Sequence, residues 1–138
     1  MHRPTLLAVV CGGLLALAHC RDSSLAPVPG VPGALFRFRN PALPSDSVRL
    51  HVASPDGLAQ ADSLLRSGAA RWAVGTPRRG DGGFNAPWNW HLDPATVAFA
   101  EVTIEACQTR PPAVERDLDY WIMFGQVCLW GTIESRER

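Results

Sequence analysis

The chain has 138 residues, enough for one domain after removal of an export signal. Hydrophobic residues make up 46% and charged residues 19%, which are ordinary globular values and exclude a chain that is disordered throughout. The 13 basic and 13 acidic residues cancel, so no nucleic-acid surface is expected, because such surfaces depend on phosphate neutralisation. Every basic residue is arginine, which excludes Schiff-base and lysine-base chemistry.

The N-terminus is typical of an export signal. His2 and Arg3 form a short polar start, and an apolar run follows over Thr5–Ala18. The run is shorter than the ~20 residues that cross a bilayer as a helix. We therefore predict that residues 1–19 are an export signal and not a membrane anchor.

Two processing sites compete at the end of this signal. The small-x-small pattern over 16–18 predicts cleavage before His19. The sequence over 17–20 resembles a bacterial lipoprotein box, in which Cys20 becomes the lipidated first residue. His19 departs from that pattern, since a small residue is usual there. Plain secretion remains the alternative to lipid attachment at Cys20.

Cysteine parity bears on this choice. Cys11 leaves with the signal, and three cysteines remain. If Cys20 carries lipid, Cys107 and Cys128 can pair and no thiol is left over, as exported proteins prefer. Residues 20–33 are rich in proline and serine and suit a tether between a membrane and a domain.

The first elements of the domain are indicated by periodicity and capping. Residues 35–39 and 48–52 alternate apolar and polar side chains, which predicts two antiparallel strands. Ser54 as N-cap and Pro55 at the first helical position predict a helix that ends at Gly68.

Further strands follow on either side of a glycine-rich turn. A strand begins at Trp72, and the turn is predicted over 81–83, where glycines tolerate positive φ. Residues 88–93 are predicted to be extended. Alternation over 102–106 predicts another strand, ending at Cys107.

The C-terminal part is predicted to hold one helix and one strand. The helix opens at Pro111 and closes at Gly125, and the strand covers 127–133, followed by a frayed tail over 134–138. The fold class is therefore α+β. We predict a single domain over 34–135, with an antiparallel sheet of about five to six strands, two helices packed on one face and one disulfide.

A disulfide between Cys107 and Cys128 would close a loop of about 22 residues, which loop entropy values at roughly 3 kcal/mol. Neither cysteine has a second Cys or His at close spacing, so a structural role is favoured over a zinc site.

The densest chemistry lies in the tryptophan-rich segment. Its alternation predicts one apolar row in the core, formed by Trp88, Trp90 and Leu92. The opposite, polar row is Asn89, His91 and Asp93, and Glu101 and Glu105 form a second polar row. If the two strands are neighbours, these side chains converge as a ligand or ion site, or as a general acid/base pair. A solvated sheet face gives the same alternation without any function.

Several motifs together resemble a known family. They are Pro-Trp-Asn-Trp-His-Leu-Asp-Pro (87–94), Ile-Glu-Ala-Cys (104–107), Val-Glu-Arg-Asp-Leu-Asp-Tyr-Trp (114–121) and Cys-Leu-Trp (128–130). The combination resembles small domains related to the N-terminal domain of a slime-mould calmodulin-binding protein. The resemblance supports the Cys107–Cys128 pair and the single-domain boundary, and it supplies no catalytic residues. Gln108 stands where that pattern has aspartate, and Leu129 where it has proline.

Our first hypothesis is therefore an exported, lipid-anchored, non-enzymatic binding domain. Its ligand is an unassigned small molecule, ion or protein, with no cofactor and no nucleic acid, and its membrane contact is the lipid and not a transmembrane helix. The alternative is a hydrolase-like or metal-ion-dependent enzyme that uses His91 with Glu101 or Glu105. A second alternative is a purely structural envelope domain.

Overall fold

The computed structural model describes residues 32–138, so the predicted export signal and Cys20 lie outside the described residues. The described strands are β1 (Ala34–Arg39), β2 (Val48–Val52), β3 (Arg71–Gly75), β4 (Pro77–Arg79), β5 (Trp90–Leu92), β6 (Ala98–Ala100), β7 (Gln108–Thr109) and β8 (Val127–Glu137). The helices are α1 (Pro55–Ser67), α2 (Pro111–Arg116) and α3 (Leu118–Phe124), and a 3-10 turn covers Glu105–Cys107. Within residues 32–138, no helix has both the length and the apolar character needed to cross a membrane.

The main sheet has the strand order β2-β1-β8-β3-β6, with antiparallel neighbours throughout. β7 adds a short parallel pairing to β8, with Gln108 opposite Cys128. β4 and β5 form a separate two-stranded antiparallel ribbon. The predicted antiparallel pair of the first two strands is confirmed, with Phe36 opposite Leu50.

The core lies between one face of the sheet and helix α1. Alternate residues of a strand point to opposite faces, so β1 and β2 each bury every second side chain. Helix α1 begins as predicted, with the Ser54 hydroxyl accepting a hydrogen bond from the Gly57 N–H at 3.0 Å. It ends at Gly68, whose φ of 69° is the left-handed conformation that glycine adopts most readily.

The second predicted helix is divided in two. Asp117 has φ −120° and ψ 43°, outside the helical region, so α2 ends before it and α3 begins after it. Aspartate is a poor residue for a helix interior because its short side chain competes for nearby backbone groups. Val114 and Trp121 are both buried, one from each half. The α+β class, the six-stranded antiparallel sheet and the disulfide are confirmed.

The predicted strand over 102–106 is wrong. β6 ends at Ala100, and the chain then turns through the 3-10 turn that delivers Cys107 to its disulfide partner, Cys128. Val102 and Ile104, the apolar half of the alternation, are 84% and 61% exposed. Alternation predicts a strand only when one row is buried, and here neither row is.

The predicted frayed tail is also wrong, because β8 continues to Glu137. Leu35 of β1 lies opposite Glu137, and the Glu137 carboxylate accepts a hydrogen bond from the Arg49 Nε at 2.8 Å. Pairing with β1 supplies the partners that an isolated polar tail lacks.

Candidate functional site

The residues predicted to converge lie on separate sheets. β5 carries His91 and pairs with β4, whereas Glu101 follows β6, which pairs with β3. In the described strands β5 and β6 are not neighbours, so the structure does not bring His91 and Asp93 together with Glu101 and Glu105. Over residues 32–138, no group of three or more His, Cys, Asp or Glu side chains is placed to hold a metal ion.

His91 and Asn89 each have a local partner. The His91 Nδ1 lies 2.7 Å from the Gly80 carbonyl oxygen, and the ring packs edge-on against Phe84 at 5.5 Å between centroids. The Asn89 backbone N–H and Nδ2 both donate to the Glu115 carboxylate, at 2.9 and 2.6 Å. These contacts link the ribbon to its own turn and to α2.

Asp93 belongs to the turn after β5. Its carboxylate accepts hydrogen bonds from the Arg78 guanidinium, at 3.0 Å from Nη2, and from the Ala95 N–H at 3.1 Å. The Arg78 hydrogen bond is the main cause that lowers the pKa of Asp93, with burial opposing it and the Ala95 N–H adding to it. Asp93 therefore acts as an ionised partner within the turn.

The two glutamates are exposed. Glu101 accepts a hydrogen bond from the Arg71 Nη2 at 2.9 Å, and its side chain is mostly in solvent. Glu105 opens the 3-10 turn that precedes Cys107. Among the described contacts neither glutamate shares a partner with His91, so the geometry gives this set no common chemistry.

The tryptophan-rich segment instead fastens the ribbon to β2. Asn85 is only 1% exposed; its Oδ1 accepts from the Arg49 N–H at 2.9 Å, and its Nδ2 donates to the Trp90 carbonyl at 2.7 Å. The Trp88 Nε1 donates to the Ser47 carbonyl at 2.9 Å. Trp90 is buried as predicted, and Trp88 is partly buried against the same core.

A concave site lies elsewhere, beside β8. On one edge of β8, β1 pairs from Thr132 onward and β7 pairs at Cys128 and Leu129. Between these pairings β8 has no partner strand on that edge among the described strands. A cavity of about 450 Å³ opens there, within the ~300–1,000 Å³ typical of small-molecule sites. We call it the β1–β7 notch and define it by Asn40, Asp46, Trp72, Gln108, Arg110 and Trp130.

Two tryptophans form the aromatic wall of the notch. Trp72 of β3 lies directly opposite Trp130 of β8, and their ring centroids are 5.2 Å apart at an interplanar angle of 56°. Trp130 is 40% exposed, while its neighbour Leu129 is buried. Alternation along β8 therefore directs a large aromatic ring away from the main core.

An ion pair crosses the opposite side of the notch. Asp46, in the β1–β2 connection, is 3% exposed, and its carboxylate accepts from the Arg110 Nε at 2.6 Å and Nη2 at 3.2 Å. This hydrogen bond is the main cause that raises the pKa of Arg110. The arginine compensates the burial of the carboxylate, since an unpaired buried charge is strongly destabilising.

Residues 32–137 match the model of a family described as the N-terminal domain of a calmodulin-binding protein. The chain belongs to this family. No curated protein and no solved structure matches the chain. The family agrees with the resemblance seen in the sequence motifs, and Gln108, one of the departures from that pattern, lines the notch.

The notch of this family member was missed by sequence reasoning. Strand positions were predicted for Trp72 and Trp130, and an outward tryptophan beside the inward Leu129 is the signal that the alternation carried. Asp46 and Arg110 are 64 residues apart and carry no such signal. Their pairing depends on the position of β7 beside β8.

Proposed function

We propose that this member of the family is an exported, lipid-anchored, non-enzymatic binding domain whose ligand occupies the β1–β7 notch. The observation that carries the proposal is the cavity itself, which joins the Trp72–Trp130 wall to the Asp46–Arg110 pair. A concave, largely apolar surface with a few fixed polar groups is the common form of a small-molecule site.

The chemistry of the notch favours binding over catalysis. Its acid and its base, Asp46 and Arg110, are hydrogen-bonded to each other, and no histidine or thiol lines the cavity in the described residues. The enzyme hypothesis needs His91 within hydrogen-bond reach of a catalytic carboxylate. Its ring bonds the Gly80 carbonyl instead, and the sheet order separates it from Glu101.

A purely structural role leaves the notch unexplained. A structural domain gains stability by filling its surface concavities, whereas this one leaves an open cavity beside an exposed tryptophan.

Occupancy of the notch is tested by protein NMR against a library of small fragments, metals, peptides and sugars. The readouts are the indole N–H signals of Trp72 and Trp130, assigned by Trp→Phe variants. We expect bound fragments to shift these signals, and Trp130→Ala to weaken the binding. Tyr120→Ala, an exposed aromatic outside the notch, is the matched control and should leave binding unchanged. Fragments that bind without moving either indole signal would contradict the proposal.

Export and lipid attachment rest on the N-terminal sequence and are tested by fractionation. We expect Cys20→Ser to move the protein from the membrane to the soluble fraction. Cys11→Ser changes a residue of the predicted signal and should leave the mature protein in the membrane fraction. Unchanged fractionation of Cys20→Ser would contradict the lipid anchor.

A further inference from the structure

The notch offers flat apolar rings rather than a deep greasy pocket. Trp72 and Trp130 lie within 5.2 Å of each other, tilted and partly exposed, so their ring faces are available along an open wall. A ligand that uses such a wall needs a flat or gently curved apolar face and a polar periphery that remains in contact with water.

The charge of the notch is balanced before any ligand arrives. Asp46 and Arg110 contribute one negative and one positive charge and are paired through two hydrogen bonds. No other ionisable side chain lines the notch in the described residues. An anion would meet the Asp46 carboxylate beside Arg110, and a cation would meet the guanidinium beside the aromatic rings, so neither charge is favoured.

The remaining polar groups are neutral or partly unused. Arg110 binds Asp46 through Nε and Nη2, which leaves the Nη1 donors without a partner in the described residues. The Asn40 Oδ1 accepts from the Ala42 N–H, which leaves its Nδ2 donors similarly available. Gln108 adds an exposed side-chain amide at the rim. Planar amide and guanidinium groups present their hydrogen-bonding atoms in pairs, which matches hydroxyl groups on adjacent carbons.

We infer that the notch binds a neutral saccharide, whose C–H face stacks on Trp130 and Trp72 while its hydroxyls bond to Asn40, Gln108 and Arg110. This inference rests on the proposed function, because it names the ligand class of the same notch. The sugar ring provides the apolar face and the polar edge together, and it carries no charge to disturb the ion pair.

The test uses the purified protein and three neutral disaccharides: cellobiose, maltose and di-N-acetylchitobiose. Tryptophan fluorescence and calorimetry measure binding, and choline and glucuronate serve as small cationic and anionic probes. We expect at least one neutral disaccharide to bind at concentrations up to ~10 mM and to shift the Trp130 indole signal. Trp130→Ala should weaken that binding by roughly tenfold or more. Gln108→Ala, at an exposed position, gives a second variant that should also weaken it without affecting the fold.

Co-sedimentation with insoluble cellulose and chitin distinguishes a polymer ligand from a free sugar, and binding in either form supports the inference. Binding of choline or glucuronate alone, or saccharide binding that Trp130→Ala leaves unchanged, would overturn it. In the first case the Trp72 and Trp130 signals still move, so the notch remains a binding site for another ligand class. If no probe and no fragment moves them, the proposed function fails as well.

Discussion

Asn85 provides the sharpest test of how the tryptophan-rich segment is held. Its buried amide bonds the Arg49 N–H at 2.9 Å and the Trp90 carbonyl at 2.7 Å, so Asn85→Ala leaves two backbone groups without their side-chain partner. Each unsatisfied buried group costs about 1–3 kcal/mol. Because Arg49 is only partly buried, we take the lower half of the range, roughly 3 kcal/mol in total. That is a large share of a typical ~5–15 kcal/mol.

Thermal unfolding followed by circular dichroism measures this loss. For a domain of this size, 1 kcal/mol corresponds to about 4–8 °C, so we expect Asn85→Ala to lower Tm by roughly 12–24 °C. Asn89→Ala is the matched control, since the same residue type in the same segment makes its hydrogen bonds to Glu115 at the surface. Its loss should be about 1 kcal/mol or less. Equal Tm shifts for the two variants would refute the buried role of Asn85.

A second variant at this position tests the direction of the Trp90 hydrogen bond. In Asn85→Asp, an ionised carboxylate still accepts from the Arg49 N–H but can no longer donate to the Trp90 carbonyl. Repulsion from that carbonyl and burial raise the pKa of the new carboxyl above its unfolded value of about 3.9. The destabilisation relative to the wild type should therefore be small below that pH and grow as the pH rises above it. A pH-independent difference is incompatible with the donor assignment.

Three further predictions follow from the described contacts. The Cys107→Ser/Cys128→Ser double variant should lose roughly 3 kcal/mol in calorimetry, and addition of reductant should then change its Tm little. The depressed pKa of Asp93 adds stability above its unfolded value of about 3.9 that is lost as pH falls through the lower folded value; the Tm difference from Asp93→Asn should shrink over that acid range, and a constant difference would contradict it. Gly82→Ala should destabilise more than Gly80→Ala, because both have positive φ but only at Gly82 would a Cβ lie 2.8 Å from the His91 ring; equal Tm losses would contradict that contact.

Local rules predicted the first half of the fold well. Alternation in β1 and β2, and the Ser54 cap with Gly68 at the end of α1, depend on neighbouring residues alone. Each could therefore be predicted from periodicity and capping preferences. The disulfide was also predictable, because only Cys107 and Cys128 remained to pair under the lipid-anchor hypothesis.

The errors occur where distant segments decide the conformation. The polar tail became the end of β8 because β1 offers it a partner strand, and the alternation over 102–106 was not a strand because no described strand pairs with it. Helix propensity over 111–125 did not reveal the break at Asp117. Strand pairing and helix packing are non-local, so composition and spacing alone cannot predict them.

The candidate site divides in the same way. The family, the α+β class and the outward position of Trp130 could all be read from the chain, because motifs and alternation depend on residues close in sequence. That His91 and Glu101 stand apart while Asp46 and Arg110 meet became visible only in the folded arrangement. The physical reason is that strand order forms the binding site: β7 joins β8 beside the end of β1, and the gap left between them is the notch.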